Sequence, residues 1–261
     1  SAARSDGFDL PIRVAETGET VVVPGVDRFA AGGVAGSAYW KDLTVQGHFH
    51  RREQRIPIGL FGTQIGDGRT RYLDERALGE VRWEPRFNEY VQLFLRGHVN
   101  HYHFNGLYVL PEPDASLLED YYGSWFGTEA RVVIDPIKRL RIVAGGEFQH
   151  HPTAIIRGAE VEDDLETPLA DGEYLNEDRT FTLGAPYAVI EAEPIDWFRV
   201  SAGVRVDVYT TFGAIVIPRG AVIFKPSDVS TLKIMSGRAF RAPSVYEQFY
   251  NDGGFSQEPA T

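Results

Sequence analysis

Seven histidines, a run of nine carboxylates and a set of mid-chain charges are the residues here whose chemistry needs a reason. His48, His50, His98, His101, His103, His150 and His151 fall into three groups. Neutral imidazoles are good ligands for zinc and copper, so a rim of them could capture a metal. Imidazoles also tolerate the boundary between lipid and water. Strand alternation would send only His48, His50, His98 and His151 to one side, so no metal ligand is assigned. Glu160, Glu162, Asp163, Asp164, Glu166, Asp171, Glu173, Glu177 and Asp178 stand against Arg157 alone, which accounts for eight of the eleven net negative charges. Their local field could attract cations, but the plainer reading is a solvated loop. The stretch Arg238–Tyr246 brings two arginines, a Phe and a Tyr together, and closing a strand end is the simpler role for it. No nucleophile elbow, phosphate-binding glycine loop, dinucleotide fingerprint or His-Glu-x-x-His pattern occurs. Hence no catalytic residue and no cofactor is assigned, the ligand-binding residues are left open, and the chain is not expected to be an enzyme.

Composition narrows the classes further. A formal charge of −11 argues against a nucleic-acid partner, since phosphate binding needs clustered Lys and Arg. There are no cysteines, so neither disulfides nor thiolate metal sites are possible. No run of eighteen apolar residues exists, which rules out a membrane-crossing helix and leaves a barrel untouched, because membrane strands carry apolar residues only at every second position. Twenty-seven glycines and 12% aromatic residues suit a sheet with tight bends and interfacial rings. The chain starts at Ser1 without an initiator Met and stops in a polar stretch, so a piece of a longer protein is expected.

The elements that must position these groups read as strands. Between Trp197 and Tyr209, Phe198, Val200, Ala202, Val204, Val206 and Val208 alternate with Arg199, Ser201, Arg205 and Asp207, making one apolar and one polar face. Leu43, Val45, Gly47 and Phe49 oppose Thr44, Gln46, His48 and His50 in the same way, and Val91, Leu93 and Leu95 oppose Gln92, Arg96 and His98, with Phe94 breaking the pattern. Glu129, Arg131, Arg205 and Asp207 in mid-strand would cost several kcal/mol facing lipid, so they must face water. Ten strands are expected, at about 33–40, 43–55, 73–83, 89–104, 119–134, 139–150, 180–192, 197–210, 214–225 and 230–241. Tight turns at 41–42, 84–88, 135–138, 193–196 and 225–228 alternate with longer connections at 56–71, 106–118 and 152–178, apart from a very short one at 211–213. Four of the five tight turns hold Pro, which cannot donate to a ladder and ends strands cleanly. Residues 1–33, rich in Gly, Pro, Asp and Glu with one short apolar run at Val21–Val23, are expected to form a long loop, and residues 244–261 the start of another.

Alternation alone fits either a soluble or surface-exposed antiparallel β protein serving adhesion or a membrane barrel with its apolar face outward. The wording of the C-terminal hairpins adds to this. Gly203-Val-Arg205-Val-Asp207, Phe212-Gly213, Pro218-Arg219, Lys225-Pro226, Leu232-Lys233 and Gly237-Arg-Ala-Phe-Arg-Ala-Pro-Ser244 with Tyr246-Glu247 resemble the barrel of TonB-dependent outer-membrane receptors. Fainter matches lie at Arg55-Ile-Pro57, Phe61-Gly-Thr63 and Trp125–Glu129, so that about 32–247 is covered. The resemblance implies an all-β, antiparallel up-and-down transmembrane barrel of roughly 22 strands closed by an N-terminal plug. Residues 1–261 would form a partial barrel domain of about ten strands, with the plug lying upstream. It further implies a location in the cell outer membrane and import of a scarce nutrient such as a ferric siderophore, haem or cobalamin. The implied partners are outer-membrane lipid, a small-molecule or metal-chelate ligand, and the TonB system acting through upstream segments.

Overall fold

The structure, a computed structural model, describes residues 1–14, 17–111, 116–227 and 229–251. Its strands are β1 (Ala2–Ser5), β2 (Phe8–Arg13), β3 (Thr20–Val26), β4 (Phe29–Trp40), β5 (Leu43–Arg55), β6 (Arg71–Trp83), β7 (Val91–Tyr108), β8 (Ser116–Ile137), β9 (Leu140–Val161), β10 (Pro168–Asp178), β11 (Phe181–Ile195), β12 (Phe198–Tyr209), β13 (Gly213–Ser227) and β14 (Ser230–Gly237). A short helix α1 (Val245–Phe249) follows. Twelve strands make one antiparallel sheet in the order β1-β4-β5-β6-β7-β8-β9-β11-β12-β13-β14, with β10 paired to the far half of β9. Apart from β10 and the β2-β3 hairpin, which stands apart, the order follows the chain, as an up-and-down meander requires. β1 and β14 lie at opposite ends of the order, so the sheet does not close on itself.

All ten expected strands are present, β5 with the expected limits and β12 within one residue at each end. Three expectations are corrected. The first 33 residues are not a long loop: β1 pairs with β4, and the Val21–Val23 run lies in β3, where Leu10 faces Val23 across the hairpin. The connection at 152–178 is likewise a hairpin. β9 continues to Val161, turns, and returns as β10, whose Gly172 fits where a Cβ would meet the Glu160 carbonyl at 2.9 Å. Lastly, β14 ends at Gly237 rather than 241, and α1 occupies part of the expected tail. Residues 112–115 of the 106–118 connection, Asp228 of the last tight turn and residues 252–261 lie outside the described residues.

The sheet has almost no conventional core. Among the described residues, buried apolar clusters are limited to Leu107, Val109 and Val161 on one side and Ile156, Leu175 and Tyr250 on the other. Val34, Ile190 and Val204 all lie on the apolar parity, yet they are 68%, 51% and 42% exposed. At roughly 25 cal/mol per Å² of apolar surface, a water-soluble fold would bury such a face against a second layer. Among the described residues nothing covers it.

Candidate functional site

The polar face is built by register. Antiparallel pairing sets Gln46 beside Glu80, Arg96 beside Glu129, Glu129 beside Glu147, and Tyr187 beside Arg205, all on the parity opposite the exposed valines. The side chains then join. Gln46 Nε2 donates to Glu80 at 2.9 Å, and Arg96 lies 3.8 Å from Glu80, 3.3 Å from Glu129 and 3.9 Å from Glu147. The Tyr187 hydroxyl donates to Glu129 at 2.9 Å, while Arg205 donates to Glu147 at 3.0 Å and to Asp207 at 2.5 Å. A continuous ionic belt therefore crosses the sheet from β5 to β12. Glu129, Arg205 and Asp207 are three of the four mid-strand charges that alternation assigned to a wet face. The fourth, Arg131, covers Phe94 at 4.3 Å, which explains how an aromatic ring is tolerated at a polar position.

Toward the long-connection end this face becomes aromatic. Glu119, only 6% exposed, accepts hydrogen bonds from the hydroxyls of Tyr108 (3.1 Å), Tyr174 (3.3 Å) and Tyr250 (3.0 Å). A buried carboxylate needs such donors. Tyr250 caps the C-terminus of α1, so this contact draws the chain after β14 back onto β8. Arg241 clamps Glu247 through both nitrogens, and Ser244 with Glu247 completes a capping box. The Arg241 guanidinium is the main cause holding the Glu247 carboxyl down to about 2. The Arg238–Tyr246 stretch, read as closing a strand end, thus orders α1.

The histidines do not converge. His48, His50, His98 and His151 share the polar parity, whereas His101 bonds Ser124 (2.9 Å) and His150 bonds Thr182 (2.9 Å) on the opposite face. His103, also on that face, bridges Glu75 (3.2 Å) and Asp120 (2.8 Å) beside Arg51, marking the level where the apolar band gives way to polar groups. Among the described residues no group of three or more His, Asp or Glu is placed to hold a metal. At the other end, Trp40 and Trp83 flank Leu43 in one cross-strand row, and Trp197 packs edge-on against Phe224, as in an interfacial aromatic girdle. The nine carboxylates of 160–178 ride on the β9-β10 hairpin. Asp164 there caps its own turn by accepting from the Thr167 hydroxyl (2.6 Å) and from the amides of Thr167 and Glu166, which holds its carboxyl below the usual range. The Glu119 tyrosine cluster was not foreseen from sequence. Its hydrogen-bonded partners lie up to 131 positions from Glu119, and only the Tyr121-Tyr122 pair beside Glu119 hinted at it.

A chain-ordered antiparallel sheet with one bare apolar face, a tryptophan row at its edge and a charge-paired opposite face is the wall of a transmembrane β-barrel, and the polar face is its lumen. The family description "TonB dependent receptor-like, beta-barrel" matches residues 24–260, and the chain belongs to that family, one of transport receptors rather than enzymes. Compared with solved structures, the chain is similar to the ferric citrate transporter FecA in its unliganded form, with 11% identity, a TM-score of 0.57, and coverage of 82% of this chain and 37% of that one. It is also similar to the siderophore receptor PirA from Acinetobacter baumannii, with 16% identity, a TM-score of 0.58, and coverage of 85% and 34%. The chain spans little more than a third of each. No curated protein matches it. An adhesive soluble β protein is not favoured, because nothing among the described residues would shield the apolar face from water.

Proposed function

We propose that this chain is part of the barrel wall of an outer-membrane receptor that imports a scarce nutrient held in a metal chelate, a ferric siderophore being the favoured class and haem or cobalamin the others. TonB would supply the energy through parts of the receptor outside this chain. The observation that carries the reading is the division of one sheet into a bare apolar face and a lumen face whose carboxylates are bridged by Arg96 and Arg205 in the Glu80–Asp207 belt, with aromatic rings and hydroxyls above it. The two similar structures, a ferric citrate transporter and a siderophore receptor, support the cargo class.

Cells lacking the receptor, grown under iron limitation and supplied with a panel of ferric siderophores, haem and cobalamin, are the test. Loss of uptake of one chelate, restored by the intact gene, is the expected result. Unchanged uptake across the panel would remove the transport reading.

A further inference from the structure

A separate feature lies on the lumen face between the ionic belt and the Glu119 cluster. Trp125, which faces a bulge of β9 at His151-Pro152, stacks on His151 (5.4 Å, 12°), and His151 stacks on Phe181 (4.0 Å, 13°), giving a ladder of three nearly parallel rings. Across from it Tyr209 stacks on Phe212 (4.3 Å, 25°), which in turn touches Phe240. Between the two stacks is a cavity of about 260 Å³, roofed by the 242–248 segment. Among the described residues no Asp, Glu, Lys or Arg lines it, although Glu147 and Asp207 lie only two positions along their strands from its lining residues Gln149 and Tyr209.

We infer that this cavity is a subsite for an uncharged, flat aromatic ring bearing hydroxyl or heteroatom substituents, the end group of a cargo molecule. The inference rests on the receptor reading above and refines it by naming the chemistry of one part of the cargo. Aromatic faces on two sides favour a planar guest, which stacks offset or edge-on with rings 4.5 to 7 Å apart. A cavity of roughly 150 Å³ suffices for benzene, so the space found here takes a substituted ring. Gln149, Gln248 and the Tyr209 hydroxyl supply hydrogen-bonding groups without charge, and Gln149 is held in place between Glu147 (2.5 Å) and His151 (3.3 Å). A guest carrying a full negative charge would be desolvated there with no Lys or Arg among the described lining residues to meet it.

The purified receptor that carries this chain is titrated with 4-fluorophenol and followed by fluorine NMR, with catechol, cyclohexanol and citrate as competitors. Catechol is expected to displace the probe, and cyclohexanol and citrate are not. Phe181→Ala and Phe212→Ala should each weaken binding roughly tenfold through lost stacking, while Val99→Ala on the lipid face leaves it unchanged. Retained heat-modifiable migration of each variant shows that its barrel is intact. Equal displacement by cyclohexanol, binding indifferent to both Phe variants, or no binding at all overturns the inference. A receptor that imports a chelate yet shows any of these outcomes loses the subsite alone, whereas absence of all chelate uptake removes the receptor reading on which the subsite depends.

Discussion

Arg205 reaches back 58 positions to Glu147, donating at 3.0 Å, while its Nε holds Asp207 at 2.5 Å two residues along the same strand. One guanidinium thus serves two carboxylates, of which Asp207 is 6% exposed. The register of β9, β11 and β12 makes this possible, because Glu147 faces Ala185 and Tyr187 faces Arg205 across the two ladders.

Alternation alone treats position 205 as a wet site that tolerates polar exchange, but the pairing makes it more demanding. Arg205→Gln leaves Asp207 without its cation, and removal of one partner of a charged hydrogen bond costs about 1.5 to 3 kcal/mol. Arg205→Lys should recover part of this, short of the forked geometry. Denaturant unfolding of the refolded receptor should rank the variants wild type, then Lys, then Gln. A Gln variant as stable as wild type would show that the belt contributes nothing there.

The lipid assignment is tested one residue away. Val204 faces away from the belt and is substantially exposed, so Val204→Arg should cost on the order of 2 to 4 kcal/mol at a bilayer midplane. Single tryptophans placed at 204 and at 205, read against brominated lipid, separate this from packing loss. Quenching is expected at 204 only, and none at either position would exclude a membrane wall.

Much of the wall was legible because a two-residue period with one buried or lipid-facing side is a strong signal: Leu43–Phe49 and Phe198–Val208 located their strands almost to the residue. β1, β2, β3 and β10 were missed for a common reason. β1 is only four residues, β2 and β3 are short and interrupted by Pro, and β10 is rich in acidic residues, and they are strands because an existing edge or a hairpin partner supplies the hydrogen bonds. The site was legible only as parity. That Glu129, Arg205 and Asp207 face water could be read from the chain, but not that Arg96 would sit among three carboxylates or that Tyr250 would close on Glu119, since those partners are fixed by strand order and register.

The α1 segment should be pH-sensitive only in strong acid. Arg241 depresses the Glu247 carboxyl to about 2, so the contribution of this contact is complete above the ordinary Glu value near ~4.3 and is lost as pH falls toward 2. Hydrogen exchange of the amides of Gln248 and Tyr250, which donate to Ser244 and Tyr246, should stay slow at pH 4 and accelerate near pH 2. In Arg241→Ala the acceleration should already appear around pH 4. Identical profiles in the two proteins would separate the order of α1 from this ion pair.

The orientation of the wall follows from which turns are short. Asp42 and Ser227 lie at the tight-turn end, next to Trp40 and near the Trp197–Phe224 contact, while Asp171 lies on the β9-β10 hairpin, beyond the level at which His103, Glu75 and Asp120 end the apolar band. All three are exposed. Outer-membrane barrels keep short turns in the periplasm and long loops outside. In intact cells carrying the complete receptor with Asp42→Cys, Ser227→Cys or Asp171→Cys, a membrane-impermeant maleimide should therefore label only the 171 variant. After permeabilisation all three should label, which controls for local accessibility. Labelling of 42 or 227 in intact cells, with 171 protected, would invert the wall and place the aromatic cavity and the Glu119 cluster on the periplasmic side, where no extracellular cargo could first meet them.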